Sequence, residues 1–205
     1  MAMSNSPREG DHVARIRAAL DESARVKRDL ARESAQDIAR AAEWIAAAFR
    51  SGGKTLLFGN GGSAADAQHI AAEFTGRLRR DRVALPAIAL TANTSDLTAI
   101  GNDYGFERIF SRLIEAHGKE GDVAIAVSTS GNSPNLLTAV DEARARRIRT
   151  IALLGRGGGK LLDRVDLALV VPSDDTMRIQ ESHITLGHSM VEVAELLLFP
   201  ELCGA

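Results

Sequence analysis

The sequence predicts an α/β protein built on a single doubly wound, five-stranded parallel sheet with an N-terminal helical arm. Five short apolar runs alternate with longer segments of helical periodicity, which is the pattern of a parallel sheet covered on both faces. At 205 residues, with 45% apolar and 25% charged residues, the chain has the size and composition of one globular domain. No strand precedes the first helical segment, so we expect that segment to lie outside the alternating pattern.

The chain divides by pattern into three segments. Residues 1–10 are polar and are predicted to be disordered, residues 11–50 form the helical arm, and residues 51–199 form the sheet domain. Within the arm, apolar residues recur at helical spacing, and we expect two helices with a break near Glu33 and Ser34. Their apolar stripes need a partner, for which we expect both the sheet and another subunit.

The elements of the sheet domain follow one another in regular alternation. The predicted strands are 55–59, 86–90, 122–127, 150–154 and 167–171. The predicted helices end near residues 78 and 100, and the later ones cover 106–117, 135–146 and 176–198. We expect a loop at 101–105 and a flexible turn at 155–159. The last helix is apolar on several faces, which indicates burial in a subunit interface.

Bulk properties argue against several classes of protein. The net charge of −2 is unlike that of a general nucleic-acid binder. The sequence shows no run of eighteen apolar residues and no signal-peptide pattern, so we expect a cytoplasmic location and no membrane association. The single cysteine, Cys203, cannot form an internal disulfide, which fits a reducing compartment. Because the P-loop motif is missing, no nucleotide cofactor is expected.

A glycine-rich turn, Gly59-Asn60-Gly61-Gly62-Ser63, follows the first predicted strand and opens a helix. Glycines in this position let the backbone approach a ligand closely, and the free N–H groups of the helix start favour an anion. Further along the helix, His69 and Glu73 are four residues apart and share one face. Such residues most often form a surface pair, but the mostly apolar surroundings favour a functional role.

A hydroxyl-rich loop, Ser128-Thr129-Ser130-Gly131-Asn132-Ser133, follows the third predicted strand. Pro134 comes next and suits the first position of a helix, so several O–H and N–H donors point to one spot. This arrangement suits a phosphate monoester, and an ordinary N-cap loop is the alternative. The basic cluster from Arg77 to Arg82 is likewise either a solvated loop or a contact to a phosphorylated ligand.

Polar residues interrupt the apolar C-terminal helix. Gln180 and His188 are eight residues apart and therefore differ by about 80° and two turns, whereas His183 points away from His188. Gln180 and His188 either face a ligand or form hydrogen bonds in the core. Two chemistries remain open. Glu73 and one imidazole suit proton transfer next to a carbonyl. A zinc site would combine His69, Glu73, Gln180 and His188.

Four motifs, in this order along the chain, resemble those of the bacterial phosphoheptose isomerases of the sugar-isomerase (SIS) family. They are Gly59-Asn60-Gly61-Gly62-Ser63-Ala64-Ala65-Asp66-Ala67-Gln68-His69, Gly101-Asn102-Asp103-Tyr104-Gly105, Ser128-Thr129-Ser130-Gly131-Asn132-Ser133, and Ile179-Gln180-Glu181 with Gly187-His188. The resemblance extends from about residue 50 to residue 190, and the helical arm matches only in kind. It implies a flavodoxin-like SIS fold and a homotetramer whose active sites lie between subunits.

The resemblance also implies a reaction and residue roles. The reaction is the isomerisation of sedoheptulose 7-phosphate to D-glycero-D-manno-heptose 7-phosphate through an enediol, a ketose–aldose step of heptose biosynthesis. Glu73 would be the base and His188 the partner acid/base. One zinc ion per subunit would be held by His69, Glu73, Gln180 and His188. The implied substrate contacts are Asn60, Gly61, Gly62, Ser63, Glu73, Asn102, Asp103, Ser128, Thr129, Ser130, Ser133 and Gln180.

Two alternatives come from non-catalytic proteins of the same fold. One kind is a tetrameric scaffold that binds a replication-initiator protein, and the other senses sugar phosphates in transcription regulators. Retention of both pairs, His69 with Glu73 and Gln180 with His188, favours an enzyme, because a scaffold needs neither. No DNA-binding helix-turn-helix is apparent before residue 50, and the balanced charge argues against a regulator, so no nucleic-acid partner is expected.

Overall fold

Helices and strands alternate along the chain in a computed structural model that describes residues 9–201. The elements in chain order are α1 (Glu9–Arg50), β1 (Thr55–Gly59), α2 (Gly62–Thr75), β2 (Ala87–Ala89), α3 (Thr94–Tyr104), α4 (Ile109–His117), β3 (Val123–Ser128), α5 (Pro134–Ala145), β4 (Arg149–Leu154), β5 (Leu167–Val170) and α6 (Thr176–Leu198). Short 3₁₀ helices precede α4 (Phe106–Arg108) and follow β4 (Arg156–Leu161). The predicted disordered segment falls mainly on residues 1–8, which, like Cys203, lie outside the described residues.

The five strands form one sheet with the order β2-β1-β3-β4-β5, and every neighbouring pair is parallel. The predicted doubly wound sheet is therefore confirmed. From β1 the chain moves first to one side, to β2, and then back to the other side, to β3. In sheets of this kind, ligands bind in the crevice beyond the carboxyl ends of the strands at such a reversal. The turns after β1 and β3 thus lie where a ligand is expected.

Two apolar layers cover the sheet, one on each face. Alternate strand residues such as Leu57 and Ile125 pack with α1, α2 and α6, whereas Leu56 and Ala124 pack with α4 and α5. The strands are nearly continuous apolar runs because both faces are buried. As a consequence, α2 and α6, which carry the candidate polar residues, lie in the same layer and pack against each other.

The N-terminal arm is one uninterrupted helix, so the predicted break near Glu33 and Ser34 is wrong. α1 continues for 42 residues because nothing near its middle is a glycine or a proline, and neither Glu nor Ser breaks a helix. Ion pairs one turn apart add support, among them that of Arg25 with Asp29. Its second half packs on the sheet and α6, whereas its first half leaves an apolar stripe exposed, formed by Val13, Ile16 and Leu20.

Two other segments differ from the predictions. Residues 101–104 form the last turn of α3 and not a loop, since a helical glycine costs only about 1 kcal/mol and the helix ends one step later at Gly105, with φ +84°. α2 ends at Thr75, ahead of Gly76, and not near residue 78. The segment 155–159, expected as a flexible turn, has a turn conformation, because Gly157, Gly158 and Gly159 have positive φ and a non-helical backbone inside the 3₁₀ segment. Among residues 9–201, no helix has the length and apolar character to cross a bilayer.

Candidate active site

Three titratable side chains meet between α2 and α6. The Nε2 atom of His69 lies 3.1 Å from Oε1 of Glu73 and 3.4 Å from Nε2 of His188. The two imidazole rings meet edge to face, with their centroids 5.1 Å apart and their planes at 74°. The side chain of His69 is about half exposed, at 48%, and that of Glu73 is 20% exposed. The structure therefore brings His69, Glu73 and His188 together at one accessible point.

A close approach of the two helices makes this meeting possible. Gly187 precedes His188, and a Cβ atom at this glycine would lie 2.5 Å from the side chain of Ile70. Ile70 in turn follows His69, so the missing side chain lets α6 approach α2 beside the two histidines. The role of Gly187 was not predicted. A glycine inside an otherwise apolar helix was the available signal, because such a glycine marks close packing when it occurs away from a helix end.

The donor set fits a zinc ion. The ligand atoms of His69, Glu73 and His188 all lie within 4.8 Å of one another. Two nitrogen ligands at about 2.1 Å from a tetrahedral zinc ion are separated by about 3.4 Å. The two Nε2 atoms lie 3.4 Å apart, which is this separation. Two imidazoles and a carboxylate are ligands that zinc accepts, and three protein ligands leave a position open.

Gln180, the fourth predicted ligand, belongs to α6, and its side chain lies against the beginning of α2. A Cβ atom at Gly62 would be 2.5 Å from the Nε2 atom of Gln180, so the glycine provides room for this amide. Gly62 is seven residues before His69, which corresponds to about 10 Å along the helix. The structure thus places Gln180 at the glycine-rich turn, and its role as a metal ligand stays a prediction.

The glycine-rich turn is joined to the beginning of α5. The side-chain amides of Asn60 and Asn135 form two reciprocal hydrogen bonds, each 2.9 Å long. Ser63 is buried, and Gly61 has φ +56°, a conformation that side chains rarely adopt. Asn135 was not predicted as a site residue, although it directly follows the proline that begins α5. This amide pair connects the turns after β1 and β3.

Hydrogen bonds hold the backbone of the hydroxyl-rich loop, and two of its hydroxyl groups have no described protein partner. The amide of Gly131 donates to Oγ of Ser128 at 3.0 Å, and the amide of Leu161 donates to the carbonyl of Gly131 at 3.0 Å. Ser133 is the N-cap residue of α5, yet its side chain makes no capping bond. Among residues 9–201, neither this hydroxyl nor that of Thr129 bonds to the protein. Both are therefore available to a ligand.

The 3₁₀ helix after β4 supports this loop. A Cβ atom at Gly131 would lie 1.8 Å from the carbonyl oxygen of Gly158, so the two backbones are in direct contact. The Asn132 side chain joins them, because its Nδ2 donates to the carbonyl of Ser130 at 2.8 Å and its Oδ1 accepts from the amide of Lys160 at 3.1 Å. The glycines at 157–159 thus permit a packed contact.

Asn102 and Asp103 lie in the last turn of α3, which packs with α4 in the layer on the sheet face opposite to α2 and α6. Both are exposed, and the Asn102 Nδ2 donates to Oδ1 of Asp103 at 2.8 Å. Neither makes a described hydrogen bond to the turns after β1 and β3. Nearby, Tyr104 is 56% exposed, with the Arg112 guanidinium 4.6 Å from its ring centroid. No described hydrogen bond joins Asn102 or Asp103 to the three titratable side chains, and their role as substrate contacts stays a prediction.

The basic cluster after α2 divides into residues of different kinds. Arg77 is exposed, and Arg79 forms an exposed ion pair with Glu192, with 2.9 Å between Nη1 and Oε1. The side chain of Arg82, by contrast, is buried and paired with Glu195. A solvated loop thus describes Arg77 and Arg79 but not Arg82.

Two groups of α2 and α6 have shifted pKa values, the half-buried Asp66 and the fully buried His183. Burial raises the pKa of the Asp66 carboxyl, with the nearby His69 acting in the opposite direction. His183 is fully buried, and its Nε2–H donates to the carbonyl of Leu154 at 3.1 Å. Burial lowers its pKa to about 4, against a smaller opposite effect of the Leu154 carbonyl. His183 is therefore a core hydrogen-bond donor, turned away from His188 as predicted.

His183 makes folding sensitive to mild acid. Because its pKa is about 4 in the folded chain and 6.5 when exposed, its contribution is complete above pH 6.5 and is lost as the pH falls towards 4. The full loss is about 3 kcal/mol. We expect urea unfolding at pH 7 and pH 5 to show a smaller drop in the free energy of unfolding for His183→Gln than for wild type. His117→Gln, which changes an exposed histidine, should retain the wild-type drop; equal drops in all three proteins would contradict the assignment.

The fold and the site together define the class of the chain. A family model described as the SIS domain matches residues 20–155. A phosphoheptose isomerase from Geobacter sulfurreducens is 55% identical over 185 residues, which cover 90% of this chain and 98% of that protein. The chain is therefore a SIS-domain protein.

Solved structures agree with this class and indicate one family within it. A phosphoheptose isomerase from Neisseria gonorrhoeae superimposes with a TM-score of 0.84 at 46% identity, and one from Francisella tularensis with 0.86 at 36% identity. Each comparison covers 89% of this chain and 97% of the other. This chain belongs to the phosphoheptose isomerase family. The family predicted from the four motifs is thus confirmed.

Proposed function

We propose that this chain interconverts sedoheptulose 7-phosphate and D-glycero-D-manno-heptose 7-phosphate, as a step of heptose biosynthesis. The observation that carries the proposal is the meeting of Glu73 with two imidazoles in the layer beside the glycine-rich turn. A carboxylate and an imidazole are the groups that proton transfer next to a carbonyl requires. The names of the relatives at about 50% identity support a phosphorylated heptose as the substrate.

Each candidate residue has a role in this reaction. The Glu73 carboxylate accepts the proton from the carbon next to the ketose carbonyl, which forms the enediol. His188 moves a proton between the two oxygens, and return of the carbon-bound proton to the neighbouring carbon completes the aldose. The phosphate is held by the hydroxyls of Ser128, Thr129, Ser130 and Ser133. The remaining substrate contacts are proposed for Asn60, Gly61, Gly62, Ser63, Asn102, Asp103 and Gln180.

One zinc ion per subunit is the proposed cofactor. His69, Glu73 and His188 would hold it, with Gln180 as the fourth ligand. When bound, zinc supplies a Lewis acid that polarises carbonyl oxygens. Since Glu73 and His188 are also the proposed acid/base groups, turnover measured with added zinc and with a chelator would show whether the ion raises or lowers activity.

Zinc binding itself is testable without turnover. We expect the purified protein to bind one Zn²⁺ per chain in competition with a chromogenic chelator at pH 7. His69→Ala should lower the affinity by at least about tenfold to hundredfold, since it removes one of the meeting donor atoms. His117→Ala removes an exposed histidine from α4 and should leave the affinity unchanged. Equal zinc affinities for His69→Ala and wild type would contradict the proposed site.

The proposed assembly is a homotetramer with active sites between subunits. The exposed apolar stripe of Val13, Ile16 and Leu20 supports it, as do the exposed Met177 and Phe106. Asn102 and Asp103, which no described hydrogen bond joins to the turns after β1 and β3, would contact substrate in a site between subunits. A cytoplasmic location stays a prediction.

The decisive experiment is turnover of sedoheptulose 7-phosphate by the purified wild type, with the aldose 7-phosphate detected as product. Formation of the aldose would support the isomerase. Tight binding of the sugar phosphate without conversion would favour the sensor or scaffold instead. Neither binding nor conversion would contradict the proposed substrate class.

A further inference from the structure

All three side-chain nitrogens of Arg82 are hydrogen-bonded to protein acceptors. Its side chain is only 1% exposed. Towards α6, Nε and Nη2 donate to the Oε1 atom of Glu195 at 2.9 and 2.7 Å. Towards α2, Nη2 donates to the carbonyl of Glu73 at 2.8 Å. Nη1 lies within bonding distance of the carbonyls of Phe74 at 2.7 Å, Gly76 at 2.9 Å and Val83 at 3.1 Å.

These contacts provide hydrogen-bond donors for the backbone carbonyls at the C-terminal end of α2. The last carbonyls of a helix have no partner within the helix, and they carry partial negative charge that favours a cation. Arg82 bonds to those of Glu73 and Phe74, and its charge is balanced by Glu195, which is itself buried. A guanidinium is suited to this role because its donors form a rigid planar fork. Arg82, which lies in the loop after α2, thus caps the C-terminal end of that helix.

The bonds lie directly beside the proposed catalytic groups. Glu73 contributes its own backbone carbonyl to Arg82. Glu195 follows His188 by seven residues, which is close to two full turns, so both lie on nearly the same face of α6. Arg82 therefore joins the turn that carries Glu73 to the face that carries His188.

We propose that Arg82 is a positioning residue, which with Glu195 fixes α2 against α6 and so sets the placement of Glu73 relative to His188. The inference rests on the proposed function and deepens it. Arg82 touches no reacting atom, and its donors are occupied by protein acceptors, so it does not bind the phosphate. The phosphate-binding loop after β3 lies at a different part of the fold and is not bonded to Arg82.

The chain provides a matched control. Arg79 lies in the same loop as Arg82 and pairs with Glu192, which is one turn before Glu195 on α6. This ion pair is exposed, with side-chain exposures of 72% and 41%. Exposed pairs contribute little. Arg79→Gln therefore removes a cation and an ion pair from the same two segments without breaking the buried bonds.

The experiment compares Arg82→Met, Arg82→Lys and Arg79→Gln with the wild type. For Arg82→Met we expect kcat for sedoheptulose 7-phosphate to fall about 10- to 100-fold, because small misplacements of catalytic groups cost that much. KM should stay within about twofold, since the phosphate loop is unchanged. Arg82→Lys, with fewer donors, should be intermediate, and Arg79→Gln should match wild type in both constants. A general loss of folding would instead lower the amount of active enzyme, which circular dichroism and active-site titration would detect.

A second variant covers the case in which Arg82→Met does not fold. Replacing both partners, Arg82→Met with Glu195→Met, leaves no unpaired buried charge, which favours folding. The same fall in kcat at constant KM is expected. A folded variant of either kind with wild-type kcat would overturn the proposal, as would an Arg79→Gln as slow as Arg82→Met.

Hydrogen–deuterium exchange separates this inference from the proposed function. In the folded Arg82 variants, the amides of residues 69–76 should exchange faster than in Arg79→Gln or the wild type, with β3 and β4 unchanged. Equal exchange in all proteins would overturn the positioning role. A wild type that shows no turnover contradicts the proposed function alone, and the exchange result still decides whether Arg82 fixes α2.

Discussion

Replacing Glu73 by glutamine is expected to lower kcat for sedoheptulose 7-phosphate by about 10²- to 10⁴-fold, the usual contribution of a positioned general base. The amide keeps the shape of the side chain, which is mostly covered, but it cannot accept the proton. The phosphate loop is unchanged, so KM should remain near its wild-type value. Initial rates of aldose formation at saturating ketose measure the effect.

Two controls make the Glu73 result specific. Glu192→Gln changes an exposed carboxylate on α6, which pairs with Arg79 in the loop after α2, and should retain wild-type kcat. Each protein is assayed with added zinc and with a chelator, because Glu73 is also a proposed ligand. If Glu73→Gln kept a kcat within about tenfold of wild type under both conditions, another group would have to be the base.

Gly131→Ala is expected to have the second largest effect, on both stability and substrate binding. The new Cβ would lie 1.8 Å from the Gly158 carbonyl oxygen, and the residue has φ +64°, so both contact and conformation oppose a side chain. We expect a loss of about 2–4 kcal/mol in the free energy of unfolding. Displacement of the loop should also raise KM about tenfold or more while the variant is folded.

Gly121 gives the matched comparison for this change. It has φ +92°, but nothing lies within 4 Å of its Cβ position. Gly121→Ala should therefore cost only the backbone conformation, about 1–2 kcal/mol, with no change in KM. Urea unfolding and steady-state kinetics measure both variants. If they lost equal stability and bound substrate equally well, the contact between the two loops would be unimportant.

The main elements could be predicted from local signals. β1 and α6 have the predicted bounds, and at the start of α6 the N-cap residue Asp175 accepts a hydrogen bond at Oδ1 from the amide of Met177, at 2.8 Å. The parallel sheet followed from the alternation of strands and helices. The break in α1 was predicted wrongly because the helix continues where no residue interrupts it, a case in which periodicity alone is ambiguous.

Other features depend on contacts between distant parts of the chain. The buried state of Arg82 follows from Glu195, 113 residues later, and from the carbonyls of α2, and the sequence shows only a basic cluster. Gly187 matters because Ile70 lies opposite it. The pairing of His69 with Glu73 was apparent from their spacing, whereas their distance to His188 required the packing of α2 on α6.

The position of α6 affects when the site forms during synthesis. His69 and His188 are 119 residues apart, and the helix that supplies His188 is the last in the described chain. It also covers part of α1, the first helix of the described chain. The sheet strands from β1 to β4 can pair before α6 is made, but the three titratable groups cannot meet. Completion of the proposed catalytic centre is therefore coupled to the contact between the first and last helices of the described chain, which makes the meeting of these groups a late event in folding.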